Sequence, residues 1–209
     1  MQSHPLIFCI TFCISIGLIF FPLNPQYTFR SVPHTSTKFN DFSTYYIPDS
    51  ILIIGDKKDP EYWKDENAQI IINAFKTKMN AAGYTAANKD DADLGLQVSY
   101  VASTYYFHGY YNDGPWWGYY PGYWYPGYWG GNWGGGWYYP YPITYSYSTG
   151  SLLADMINLK NAPEGQKEKL TVVWNAYISG LLGGSGSLNV NRTTTAINQA
   201  FTQSPYLKK

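Results

Sequence analysis

Asp93-Leu-Gly-Leu-Gln-Val-Ser-Tyr-Val-Ala-Ser-Thr104 is where the rhythm of the chain changes. Leu94, Leu96, Val98, Tyr100 and Ala102 alternate with Gly95, Gln97, Ser99 and Ser103. A period of two sends successive side chains to opposite faces of an extended chain, so the stretch predicts a half-buried strand. Upstream the period is helical. Ala68, Ile71, Ile72, Phe75, Met79 and Ala82 recur at three- and four-residue steps, while Lys76, Lys78 and Asn80 lie mostly off that face. Asp59-Pro60-Glu61 has the marks of a helix start: a capping Asp, Pro at the first helical position and a carboxylate in the first turn. Gly83 fits a left-handed terminator.

Working outward, residues 150–159 predict a second strand, whose apolar residues on both faces suit a central position. Asn161-Ala-Pro-Glu-Gly165 is a turn, after which Leu170, Val172, Trp174, Ala176 and Ile178 alternate as a third strand. A Gly/Ser connection over 183–187 leads to a last helix. Asn189 or Asn191 caps it, Val190, Thr194, Ile197 and Phe201 face inward, and Pro205 follows its end. Near the start, residues 42–47 and 50–54 read as two short extended pieces split by Pro48-Asp49. The expected fold is α+β: a two-layer sandwich in which an antiparallel sheet carries two helices on one face.

Between the first two of these strands lies a long insert, residues 105–147. It holds fourteen Tyr, six Trp, Phe107, ten Gly and five Pro, with Asp113 its only acidic residue and no Lys or Arg. Tyr120-Pro-Gly-Tyr-Trp124 is repeated at once as Tyr125-Pro-Gly-Tyr-Trp129. Gly and Pro at this density exclude a regular helix or central strand. Rings with a large apolar area and a polar edge are costly to leave in water unless something lies on them. Three uses fit: a platform for glycan rings, an interfacial contact with lipid headgroups, or a low-complexity hairpin insert packed on its own sheet. For glycan contact the candidates are Trp116, Trp117, Tyr123, Trp124, Tyr128 and Trp129. Nucleic acid is excluded, because phosphate binding needs the cations this insert lacks.

Composition points the same way. Fourteen Lys+Arg balance fourteen Asp+Glu, so net charge steers the chain to no charged partner. Only 13% of residues are charged; the shortfall from the usual quarter or so lies in the insert and the N-terminus. Residues 6–21 hold nothing more polar than Thr11, Ser15, Cys9 and Cys13. That length fits an export signal or a short anchor better than a full span of about 20 apolar residues. No Lys or Arg precedes the run, and Arg30 is the first basic residue. Cys13 is the candidate for lipidation, although Phe12 stands where a small residue is expected. The domain organisation is therefore 1–24 as signal peptide or membrane anchor and 25–206 as one α+β domain. Both cysteines fall in the first segment, so the domain has no disulfide and no thiolate metal ligand.

Several short motifs, taken in order, resemble the domain of unknown function 4136 family of bacterial envelope lipoproteins. They are Asp41-Phe-Ser-Thr-Tyr45, Ala81-Ala-Gly-Tyr84, Ala92-Asp-Leu94 with Val98-Ser-Tyr100, Gly150-Ser-Leu-Leu-Ala-Asp155, and Val173-Trp174 with Ser179-Gly180. The resemblance runs over about residues 27–206. It implies an exported, lipid-tethered α+β domain and carries over no catalytic residue.

Nothing in the sequence composes an active site. His4, His34 and His108 are scattered, and no Ser-centred elbow or His-Glu-x-x-His pattern occurs. Lys89-Asp-Asp-Ala-Asp93 lacks the spaced oxygen ligands of a calcium loop and reads as a solvated turn. Gly180, Gly183, Gly184 and Gly186 lack the spacing of a phosphate cradle and read as a flexible connection. The sequence therefore predicts an envelope protein that is not an enzyme and uses neither cofactor nor metal. Its expected partners are the membrane, through the N-terminus, and either cell-wall glycan or another envelope protein.

Overall fold

The computed structural model describes residues 28–33, 37–55, 61–103, 105–109, 137–138, 143–147, 149–160 and 170–209. The centre of the sheet is three antiparallel strands: β6 (Leu94–Val101), β10 (Ser151–Asn158) and β11 (Leu170–Ser179). β1 (Thr28–Pro33) adds antiparallel to β11 as an edge strand. On the other side β2 (Thr44–Tyr46) and β3 (Ile51–Ile54) both run parallel to β6, one beside each half of it, with Pro48-Asp49 as the break between them. β4 (Glu61–Trp63) pairs with β3, and β5 (Thr85–Ala86) runs parallel to β2. The sheet is thus mixed rather than antiparallel. A helix separates β2 and β3 from β6, and a helical crossover returns the chain to the end from which it started.

That helix, α1 (Glu66–Ala81), begins six residues later than the Asp59-Pro60-Glu61 pattern predicts. Asp65 is the cap, its side chain accepting from the Ala68 amide at 3.0 Å. Glu61-Tyr-Trp63 pairs with β3 instead, and the Trp63 ring packs edge-on against Tyr100 at 5.8 Å. At the far end Gly83 takes φ +98, and the amides of Gly83 and Tyr84 bond back to Asn80 O and Met79 O, closing a Schellman motif. The second helix, α2 (Val190–Thr202), is capped by Asn189, which accepts from the Arg192 amide at 3.0 Å. Its buried face is Thr193, Ala196, Ile197 and Ala200, rotated from the predicted stripe; Ile197 is shared and Phe201 is half-buried. The small residues face inward because α2 packs directly on α1 and on the sheet.

Both helices lie on one face. Ile71, Phe75 and Met79 of α1 and Ala196, Ile197 and Ala200 of α2 join Leu96, Val98, Leu152, Ala154, Trp174 and Ile178 in one core. Most of the family-like motifs turn out to tie this layer together. The Tyr45 hydroxyl lies 2.8 Å from Asn80 Oδ1 and 3.2 Å from Lys76 O, fixing β2 to α1. Trp174 Nε1 donates to Ser204 Oγ at 3.2 Å while its ring meets Phe201 at 5.6 Å. Gly150 takes φ +77, and a Cβ there would lie 2.2 Å from Leu182 Cγ, so only glycine fits this turn.

The Asp93 carboxylate makes the tightest of these ties. It accepts from the Ser43 and Thr44 amides at 2.6 and 3.3 Å, Thr44 Oγ1 accepts from the Asp93 amide at 2.9 Å, and Lys160 Nζ stands 3.3 Å away. The expectation of a solvated acidic turn holds for Asp90 and Asp91, which are exposed, and fails for Asp93, whose side chain is 17% exposed. Burial pushes this carboxyl up, but the two amides and Lys160 outweigh it and hold the group below 3.8, its ordinary value. A carboxyl lowered in the folded state stabilises fully above its unfolded pKa and loses that contribution as pH falls through the folded value. Asp93→Asn should therefore cost roughly 1.5–3 kcal/mol in urea unfolding at pH 7. The gap from wild type should close below about pH 4.

Candidate functional site

Opposite the helices, the three central strands present a second face, and its chemistry is different. Gln97, Asp155 and Asn175 are direct cross-strand partners, which puts their side chains in one row on one face. The neighbouring row is Ser99, Leu153 and Tyr177. None of this is wet. Ser99, Ser151 and Asp155 are 0% exposed, Asn175 1%, Gln97 and Tyr177 6%. Leu153, Ile157, Val172 and Val101 are buried beside them, yet none belongs to the core formed with the helices. β6 is therefore covered on both faces, where the alternation predicts burial on one. Gln97 and Ser99 look like solvent-face residues in sequence because their polarity matches exposure and hydrogen-bonded burial equally well.

Buried polar groups need partners, and this row supplies some internally. Asn175 Nδ2 donates to Asp155 Oδ1 at 2.5 Å. Gln97 Nε2 donates to Ser99 Oγ at 3.3 Å, and Ser151 Oγ lies 3.1 Å from the Tyr177 hydroxyl. The arrangement is a belt of amide, carboxylate and hydroxyl groups across three strands. It can orient and hold a polar ligand group or a neighbouring backbone. Among the described residues it has no paired carboxylates and no nucleophile beside a base. Among the described residues no group of His, Cys, Asp and Glu could hold a metal ion.

Trp116, Trp117, Tyr123, Trp124, Tyr128, Trp129 and Cys13 all lie outside the described residues, as do His4 and His34. The turn predicted at 161–165 lies outside them too. The two ends of the aromatic insert are described: β7 (Tyr105–Gly109) pairs antiparallel with β9 (Ile143–Tyr147). A third piece, β8 (Trp137–Tyr138), runs parallel to β11 at Leu170 and Thr171. The glycine connection has no cradle geometry. Arg192 Nη1 donates to the carbonyls of Gly180 and Leu182 at 3.2 and 2.8 Å, so the loop turns carbonyls, not amides, toward the helix start. Sequence reading missed the Gln97–Asp155–Asn175 belt. The available signal was Asp155 itself, a carboxylate within a strand whose apolar pattern called for burial on both faces.

Removing one partner from a buried hydrogen bond leaves the other desolvated and unpaired. Asn175→Ala is expected to destabilise the protein by about 3 kcal/mol, and Asp155→Ala/Asn175→Ala by clearly less than the sum of the single changes. A double-mutant cycle read by urea unfolding measures this. Strict additivity would show that the two side chains are not coupled.

With the geometry in hand, comparisons with known proteins place the chain. The model for Domain of unknown function (DUF4136) matches residues 30–206. A DUF4136 family protein from Bacteroides thetaiotaomicron, known from a crystal structure, is 52% identical, with a TM-score of 0.75 over 88% of this chain and 98% of that one. A PDZ domain protein from Parabacteroides distasonis aligns at 12% identity and a TM-score of 0.40, over 88% of this chain and 37% of the other, too slight a likeness to bear on the fold. No curated protein matches significantly. The match over nearly all of the folded part, and a solved relative sharing half its residues, make this chain a member of the DUF4136 family.

Proposed function

We propose that this protein is a membrane-attached component of the bacterial cell envelope, exposed on the periplasmic side or at the outer membrane, and that it works by binding rather than by catalysis. The observation that carries the reading is the apolar run at residues 6–21, followed after a short connection by β1 at Thr28. Sixteen residues without a charge are long enough to engage the export machinery and short for a stable span. Among the described residues no helix is long and apolar enough to cross a membrane. Cys13 is the residue that a lipid would modify.

The absence of catalysis is supported by what the ionisable groups do. Asp93 holds a turn, Asp155 binds Asn175, and Arg192 binds loop carbonyls. Each of the three is engaged in holding the fold.

A second reading concerns the partner. The insert is aromatic and carries a single charge, Asp113, with no Lys or Arg, which suits neutral polyols better than phosphates or lipid headgroups. Cell-wall glycan stacked on Trp116, Trp117, Trp124 and Trp129, with Tyr123 and Tyr128 alongside, is the ligand class this composition favours; another envelope protein is the competing partner.

Fractionation of cells making the native protein tests the first reading. The chain should sediment with membranes and require detergent for release; recovery as a soluble cytoplasmic protein with residues 1–24 intact would overturn it. Retention on insoluble peptidoglycan tests the second. Wild type should be held and Trp116→Ala/Trp117→Ala/Trp124→Ala/Trp129→Ala should wash through, whereas equal retention would remove the glycan.

A further inference from the structure

We infer that the second face of the sheet is an internal docking surface, and that its occupant is the ribbon β7–β9, folded back across β10 and β11. The inference starts from chain length. β6 ends at Val101 and β10 begins at Ser151, a cross-strand pair at one end of the sheet. Only residues 102–104 and 148–150 join these strands to Tyr105 and Tyr147, the base of the ribbon. The opposite end of the sheet is marked by Leu94, Asn158 and Thr171, which pair in sequence. It is there that Tyr138 lies beside Thr171. The eight residues of β10 separate the two ends by about 23 Å.

Ile143, at the tip of the ribbon opposite Gly109, is five steps from Tyr138 along the chain. Five residues reach about 18 Å at most. A ribbon continuing outward from β6 and β10 would put Ile143 on the order of 40 Å from Tyr138. The chain cannot span that distance. The ribbon must therefore turn back along the sheet toward the Thr171 end.

One face is already taken by α1 and α2. β1 occupies the edge of β11 from Trp174 to Ser179. The route left between the Val101–Ser151 pair and Thr171 runs diagonally over Leu153, Tyr177, Asp155 and Asn175. Those residues are 0 to 6% exposed, although neither helix reaches them. The sequence of the ribbon supplies chemistry that suits the belt: the residues that share one face by register are Tyr105, Tyr145 and Tyr147, with phenol groups, and Phe107, with apolar area. The polar row then acts as a register device, because a strand slipped by one residue would set apolar groups against a buried carboxylate.

Photo-leucine incorporated in place of leucine tests this without changing side-chain shape. After irradiation of the full-length protein, cross-links from Leu153 should map by tandem mass spectrometry to Tyr105–Gly109 or Ile143–Tyr147. Leu152, one residue away on the helix face, should cross-link to α1 or α2 and so reports that the fold is intact. Cross-links from Leu153 to other segments only, or solvent-quenched Leu153 beside a normally linked Leu152, would overturn the proposal. The inference does not depend on membrane attachment, and a chain found in the cytoplasm would leave the expected cross-links unchanged.

Discussion

Burial of β6, β10 and β11 on both faces is the constraint from which the rest of the structure follows. Ser151 through Ile157 are all buried, and so are Val172 through Ile178. An antiparallel sheet can leave one face in water, and this one does not. Every polar side chain set into those strands must then find its hydrogen bonds inside the protein, since an unpaired buried group costs more than a paired one returns. The Asp155–Asn175 bond and the Ser151–Tyr177 contact answer that requirement.

The two faces divide the work. The helix face is apolar and is specified by the shapes that meet there: Trp174 against Phe201, Tyr45 reaching Asn80, Gly150 fitted to Leu182. Asp93 anchors the edge of that layer by holding the turn that leads into β2. Several of the short family-like motifs thus have a place in the fold geometry. The second face is specified by polar matching instead. Its belt selects a register as well as a surface, the role best attested for isolated polar groups in otherwise apolar cores.

Much of this was legible in the residues, and the failures have physical causes. α2, its Asn189 cap and the strands around Leu94, Leu152 and Trp174 follow from period and capping chemistry. The start of α1 was misplaced because Asp59-Pro60-Glu61 meets every local rule for a helix start, while pairing of Glu61–Trp63 with β3 is a tertiary gain that no local rule registers. β2 and β3 run parallel to β6 because a helix, not a hairpin, separates them from it, and no local pattern marks that direction. β1 does not signal itself, because Phe29 and Val32 break the period of two and Pro33 ends the stretch; its pairing with β11 creates it. The belt stayed hidden because Gln, Ser and Asn carry no mark that separates a solvated strand face from a buried one. Membrane attachment and glycan contact remain readings of residues 1–24 and 105–147 as chemistry.

Carboxylate footprinting by carbodiimide coupling tests the double-sided burial most directly. In the native full-length protein Asp90 and Asp91 should be modified readily, while Asp155 stays unmodified until the chain is unfolded in denaturant. Modification of Asp155 at a rate comparable to Asp90, under conditions where the protein remains folded, would show the second face open to water and contradict the account.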